Sequence, residues 1–129
     1  MNPQTDELAW TQAQPLYQVK ADMFKGLAHP VRVRILEVLA GADEVPVSEL
    51  MQVTGLEPSH LSQHLAVLRR HRLVASDRRA SFVYYRLAFA EVRDLLTAAR
   101  RLLILSLTDA RDRLTATDSL PVIGVRDSE

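Results

Sequence analysis

The chain has 129 residues, no cysteine, and 16 basic side chains balanced by 16 acidic ones. That length supports one domain with a modest core and is short for an enzyme with a separate substrate domain, and the lack of cysteine excludes disulfides, thiolate metal sites and cysteine nucleophiles. No apolar run approaches the roughly 20 residues of a membrane span, and the N-terminus, MNPQTDELAW, has neither the basic start nor the apolar core of a secretion signal, so the cytoplasm is the expected compartment.

Taken in order, residues 1–14 form a polar arm in which Trp10 is expected to anchor against a neighbouring subunit rather than to hold a ligand. Leu16, Val19, Met23 and Leu27 then recur every three or four residues beside Phe24, which predicts an amphipathic helix to about residue 28. His29 is expected to cap or hinge, and Pro30 to open a second helix whose stripe is Val31, Ile35, Val38 and Leu39. Gly41 is expected to close that helix in a left-handed conformation. Residues 43–46 form a connector with room for a very short strand.

Residues 47–53 predict the first helix of a helix-turn-helix, with Leu50 and Val53 facing the core, Thr54-Gly55 turning, and Leu56 returning to the core. The second helix opens at Glu57-Pro58, where proline loses no hydrogen bond. Leu61, Leu65 and Leu68 share one face of it, which leaves Ser59, His60, Ser62, Gln63 and His64 opposite. Short hydroxyls, an amide and imidazoles suit a helix that enters the major groove and reaches phosphates and base edges. A solvated face would carry Glu and Lys, and none occurs before Arg69, which completes the helical part of the candidate DNA-binding set.

Leu73-Val74 and the run from Phe82 to Leu87 predict a hairpin, with residues 77–81 as its tip. Arg78 and Arg79 on that tip are candidates for phosphate or minor-groove contact, the alternative being a solvated turn. The neutral total also hides an asymmetry. Residues 58–86 hold Arg69, Arg70, Arg72, Arg78, Arg79 and Arg86 against Asp77 alone, whereas acids dominate residues 1–57. Positive charge concentrated on one segment is the footprint of phosphate binding.

Residues 90–114 predict a long helix in which Val92, Leu96, Ala99, Leu103, Ser106, Ala110 and Arg113 follow alternating four- and three-residue steps, the spacing of a helix–helix seam. With Leu16, Val19 and Met23 of the first helix, Val92, Leu96, Ala99, Leu103 and Ser106 are the expected homodimer interface. Residues 115–129 are expected to be a flexible tail. The fold class is thus mainly α with a small β-hairpin: a winged helix-turn-helix spanning residues 15–114 that dimerises through its N- and C-terminal helices. A symmetric dimer would place its two reading helices about one DNA turn, roughly 34 Å, apart and so meet an inverted-repeat operator in double-stranded DNA.

Other chemistries are poorly served. His60 and His64 have a metal-compatible spacing but lack a third ligand, and His71 sits in an arginine cluster that disfavours a cation. Ser59, Ser62 and Ser81 lack a supporting His–Asp pair, and four glycines do not build a phosphate loop. Neither catalysis, nor a metal, nor a cofactor is expected.

The strings FKGLAHPVRVRILEVL, VSELMQVTGLEPSHLSQHLAVLRRHRLV and RRASFVYYRL, in this order, resemble the ArsR/SmtB family of bacterial winged-helix repressors over residues 16–113. The resemblance implies a homodimer on an operator, released or retuned by an effector, with Ser59, Ser62, Gln63 and His64 at the family's DNA-reading positions. The sequence departs from the family's familiar metal sites. Pro46 and Ser48 stand where one site has cysteines, and Phe89, Glu91, Leu102 and Leu105 stand where another has Asp, His and Glu ligands. One carboxylate among four positions does not hold a transition metal tightly. Two other readings stay open: a metal-responsive repressor with an unfamiliar site built from His29, the terminal arms and their acids, and a winged-helix module for protein–protein contact.

Overall fold

The computed structural model describes residues 14–118. Prolines mark the starts of four helices, the one after Pro46 among them, each at or beside a position whose N–H would have no intrahelical acceptor. Helix α1 (Leu16–Leu27) follows Pro15, α2 (Pro30–Ala40) opens on Pro30, and α4 (Pro58–Arg70) opens on Pro58. Between them lie β1 (Val45–Pro46) and α3 (Val47–Thr54); β2 (Val74–Arg79), β3 (Phe82–Leu87) and α5 (Ala90–Asp118) complete the order. His29 is the N-cap of α2, its Nδ1 accepting the Val31 N–H at 3.1 Å.

The three strands form one antiparallel sheet in the order β1-β3-β2, so the short strand allowed for in the connector does form and pairs Val45 with Tyr85. Contacts divide the chain into two units, one ending at Arg93 and one running from Asp94 within α5. The core of the first unit is Ile35, Leu36, Leu39, Val45, Leu50, Leu61, Leu65, Leu68, Leu73, Val74, Tyr85 and Val92. In the second unit, Leu102, Leu103, Ile104, Leu105, Leu107 and Leu114 are all exposed on the single chain. No helix among the described residues is long and apolar enough to cross a membrane.

Several expectations change. Val92 is only 6% exposed and belongs to the core of its own chain, so it is unavailable to a dimer partner. Val53 of α3 is exposed rather than core-facing, and on α2, which packs against β3, α3 and α4, Leu36 is buried with Ile35 and Leu39. Gly41 closes α2 at φ −91°, outside the left-handed region, its N–H bonding back to Val38 O and Leu39 O. Strand β2 runs to Arg79, pairing with Phe82, so the hairpin turns on Ala80 and Ser81 alone, with Ala80 at φ 56°. Helix α5 continues to Asp118, so residues 115–118 are helical rather than part of a flexible tail. The Trp10 anchor and most of the proposed tail lie outside the described residues.

Two close approaches fix the placement of α4. Arg72, at φ 59°, lets Leu73 N–H reach Leu68 O at 3.0 Å, closing α4 in a Schellman motif around two buried leucines. At the same end, Gly26 of α1 abuts the His71 ring: a Cβ there would stand 2.1 Å from Cδ2. Glycine therefore lets α1 rest on the end of α4. Gly26→Ala is expected to destabilise the protein by about 1–3 kcal/mol despite alanine's better helix propensity, because the imidazole must leave its seat; urea unfolding measures this.

Candidate nucleic-acid interface

The helix-turn-helix is shaped locally by Gly55, whose φ of 69° ends α3 in the left-handed region that only glycine enters without strain. Thr54 secures the corner, its hydroxyl donating to Leu50 O at 2.7 Å and accepting the Leu56 N–H at 3.3 Å. The chain then enters α4 with Leu61, Leu65 and Leu68 buried against the core. Ser59, His60, Ser62 and Gln63 are consequently exposed together on the opposite face. The side chain of Glu57 makes no capping bond, which leaves the first backbone donors of α4 open at that end.

His64 differs from its neighbours. It is half-buried, with its ring 4.4 Å from that of His29 and its Nδ1 3.3 Å from a terminal nitrogen of Arg32. Burial, and then the electrostatic influence of His29, Arg32 and His60 close by, holds it below the ordinary histidine range. Sequence periodicity placed His64 on the reading face but carried no sign of Arg32, which lies 32 positions away.

The wing is braced by two arginines. Arg69 donates to the Tyr85 hydroxyl at 3.2 Å, linking the end of α4 to β3. Arg79 forms an ion pair with Glu44 and lies 3.9 Å over the Tyr84 ring, with Asp77 3.8 Å away. Strand register separates the two candidate tip residues. Arg79 shares the outer face with Phe82, Tyr84 and Asp77, while Arg78, opposite Val83, shares the face of Ser76 and Tyr85 that looks toward α4. The structure therefore engages Arg79 within the protein and leaves Arg78 exposed. An open cleft of about 390 Å³ lies between these elements, lined among others by Ser48, Met51, Ser62, Leu65, Phe82 and Tyr85. Among the described residues no three His, Cys, Asp or Glu side chains converge on a point that could hold a metal ion.

Residues 27–77 match the family described as a helix-turn-helix domain. The uncharacterized HTH-type transcriptional regulator Rv0081 of Mycobacterium tuberculosis is 44% identical over 98 residues, 76% of this chain and 86% of the relative. Its crystal structure aligns with a TM-score of 0.71 over 76% of this chain and 98% of that one. A solution structure of the homodimeric winged helix-turn-helix DNA-binding domain Mb0332 from Mycobacterium bovis, a possible ArsR-family regulator, aligns at 28% identity and a TM-score of 0.66 over 74% of this chain and 92% of that one. The chain belongs to the ArsR family of winged helix-turn-helix transcriptional regulators. The biofilm growth-associated repressor of Xylella fastidiosa is a further relative, 37% identical over 78 residues, 60% of this chain and 68% of the repressor.

In this ArsR-family protein the half-buried His64 links stability to pH. A histidine held below its unfolded value binds fewer protons in the folded state, so its stabilising effect is complete above about pH 6.5 and is lost as pH falls through the lowered value. Melting temperature is therefore expected to drop between pH 7.5 and 5, and His64→Gln to flatten that drop. An unchanged profile in the variant contradicts the assignment.

Proposed function

We infer that the protein is a homodimeric transcriptional repressor that reads an inverted-repeat operator with α4 and grips the flanking backbone with its wing. The observation that carries this reading is the two-sided character of α4: three leucines buried on one face, and Ser59, His60, Ser62 and Gln63 exposed together on the other, without a carboxylate among them. Gln63 is long enough to bond an adenine edge in the major groove, and the serine hydroxyls suit phosphates or either base type. Arg78 is the backbone cation of the wing; Arg79 supports it from the outer face through Glu44. Arg69 ties helix to wing, so that both meet DNA as one surface.

The dimer is supported by apolar surface that the single chain leaves uncovered. Leu102, Leu103, Ile104, Leu105 and Leu107 point in nearly every direction around α5, and each is at least 51% exposed. Helices apolar all round are buried in their working state. On α1, Leu16, Tyr17 and Phe24 are at least 50% exposed and Val19 is 38% exposed. A second copy of the chain meets these surfaces, with Leu16, Val19, Met23, Leu96, Ala99, Leu103 and Ser106 as the interface and Val92 left to the core.

Fragments selected by the purified protein from its own genome identify the operator, and competition with random DNA measures specificity. Gln63→Ala is expected to reduce the preference for operator by ~1–3 kcal/mol while leaving random-sequence affinity in place. Arg78→Ala is expected to weaken every sequence alike and to lower the slope of log affinity against log salt by about 1, whereas Arg79→Ala has the smaller effect. Leu103→Asp should yield a monomer by light scattering and with it the loss of tight operator binding. Wild-type protein that is monomeric, or that binds operator no better than random DNA at low salt, would remove the reading.

A further inference from the structure

We propose that Arg32 is a positioning residue for the reading helix: its guanidinium holds Nδ1 of His64 as an acceptor, so that the ring presents Nε2–H as a fixed hydrogen-bond donor. The role in recognition rests on the reading of α4 as the DNA-contacting helix. The assignment itself follows from chemistry. A guanidinium has only donors, so the Arg32 nitrogen 3.3 Å from Nδ1 requires a bare lone pair there. A neutral imidazole without a proton on Nδ1 carries it on Nε2. Nε2 has no hydrogen-bond partner among the described residues and is free to meet an acceptor brought by DNA.

The surroundings keep the ring neutral and in place. His29 stands 4.4 Å away, tilted by 51°, and is itself pinned because its Nδ1 accepts the Val31 N–H as the cap of α2. Arg32 is half-buried, with its Nε enclosed and unpartnered, so its guanidinium is no loose solvated charge. The groups that act on His64 are His29 and Arg32 from α2 and His60 from its own helix, none of which stabilises an imidazolium. The other charged residues on the elements packed about His64 are Arg34 and Glu37 of α2, Lys20, Asp22 and Lys25 of α1, Glu49 of α3, Asp77, Arg78 and Arg79 of β2, and Glu57, Arg69 and Arg70 at the two ends of α4, and none of them bonds the ring. No carboxylate among the described residues is bonded to the ring, so Arg32 alone sets the role of Nδ1.

A fixed donor has a defined preference. Nε2–H suits guanine N7 or O6, adenine N7, thymine O4 or a phosphate oxygen, and opposes the amino groups of cytosine and adenine. A histidine free to exchange tautomers would accept either kind of edge. Arg32 thus removes one of the two answers that His64 could give.

Long-range proton–nitrogen spectra of the ¹⁵N-labelled full chain at pH 7.5 report the tautomer directly. The expected result is Nε2–H at His64 in the wild type, and mixed tautomers with an upward-shifted titration midpoint in Arg32→Met, which keeps the apolar stem and removes the donors. On operator DNA, Arg32→Met and His64→Ala should each cost about tenfold in preference over random sequence, and the double variant should lose no more than either. Nδ1–H in the wild type, an unmoved tautomer and midpoint in Arg32→Met, or additive losses in the double variant would overturn the proposal. If Arg32→Met does not fold, the wild-type spectrum decides. If the wild type fails to prefer operator, the DNA reading falls, while the spectra still decide whether Arg32 holds His64.

Discussion

The burial of Leu61, Leu65 and Leu68 is the constraint on which the rest of the structure depends. Each is at most 3% exposed, and burial of a leucine side chain contributes about 1.5–3 kcal/mol. Rolling α4 by one residue would expose that stripe and submerge amide and hydroxyl groups without partners, a loss on both counts. The outward face of the helix is therefore set from inside the core. Gly26 against His71 and the Schellman closure at Arg72 then set where the helix ends and how α1 lies across it.

The wing shows how charged side chains can set geometry while adding little to stability. Arg79 and Glu44 are both substantially exposed, and an exposed ion pair contributes little to stability. Their contribution is geometric: the guanidinium spans the Tyr84 ring and ties the end of β2 to the residue before β1, on the far side of β3. Arg69 does the same between α4 and β3 through the Tyr85 hydroxyl. Two of the six arginines in residues 58–86 are thus engaged in aligning α4 and β2 with β3 and the residue before β1.

Composition and local pattern were enough to read the family's architecture, because the signals involved act over short distances. Helix starts at Pro30 and Pro58, the corner at Gly55 and the leucine spacing of α4 are properties of a few neighbouring residues, and the structure has all of them. The hairpin is longer than its local sequence suggests, for an equally local reason. Asp77, Arg78 and Arg79 have the polarity of a turn, and Ala80-Ser81 lacks the glycine or asparagine that usually marks a two-residue hairpin loop. Backbone pairing with Phe82 and Val83 outweighed that signal.

What the sequence determined by itself is the set of elements and the polar and apolar faces of the principal helices, since both follow from periodicity and backbone chemistry along the chain. What only the tertiary structure decided is which side chains are free. Val92 is withdrawn into the core, Arg79 is tied to Glu44, and His64 is held by Arg32. Each of these depends on partners tens of residues apart being brought within a few ångströms, and no spacing rule along the chain encodes that distance.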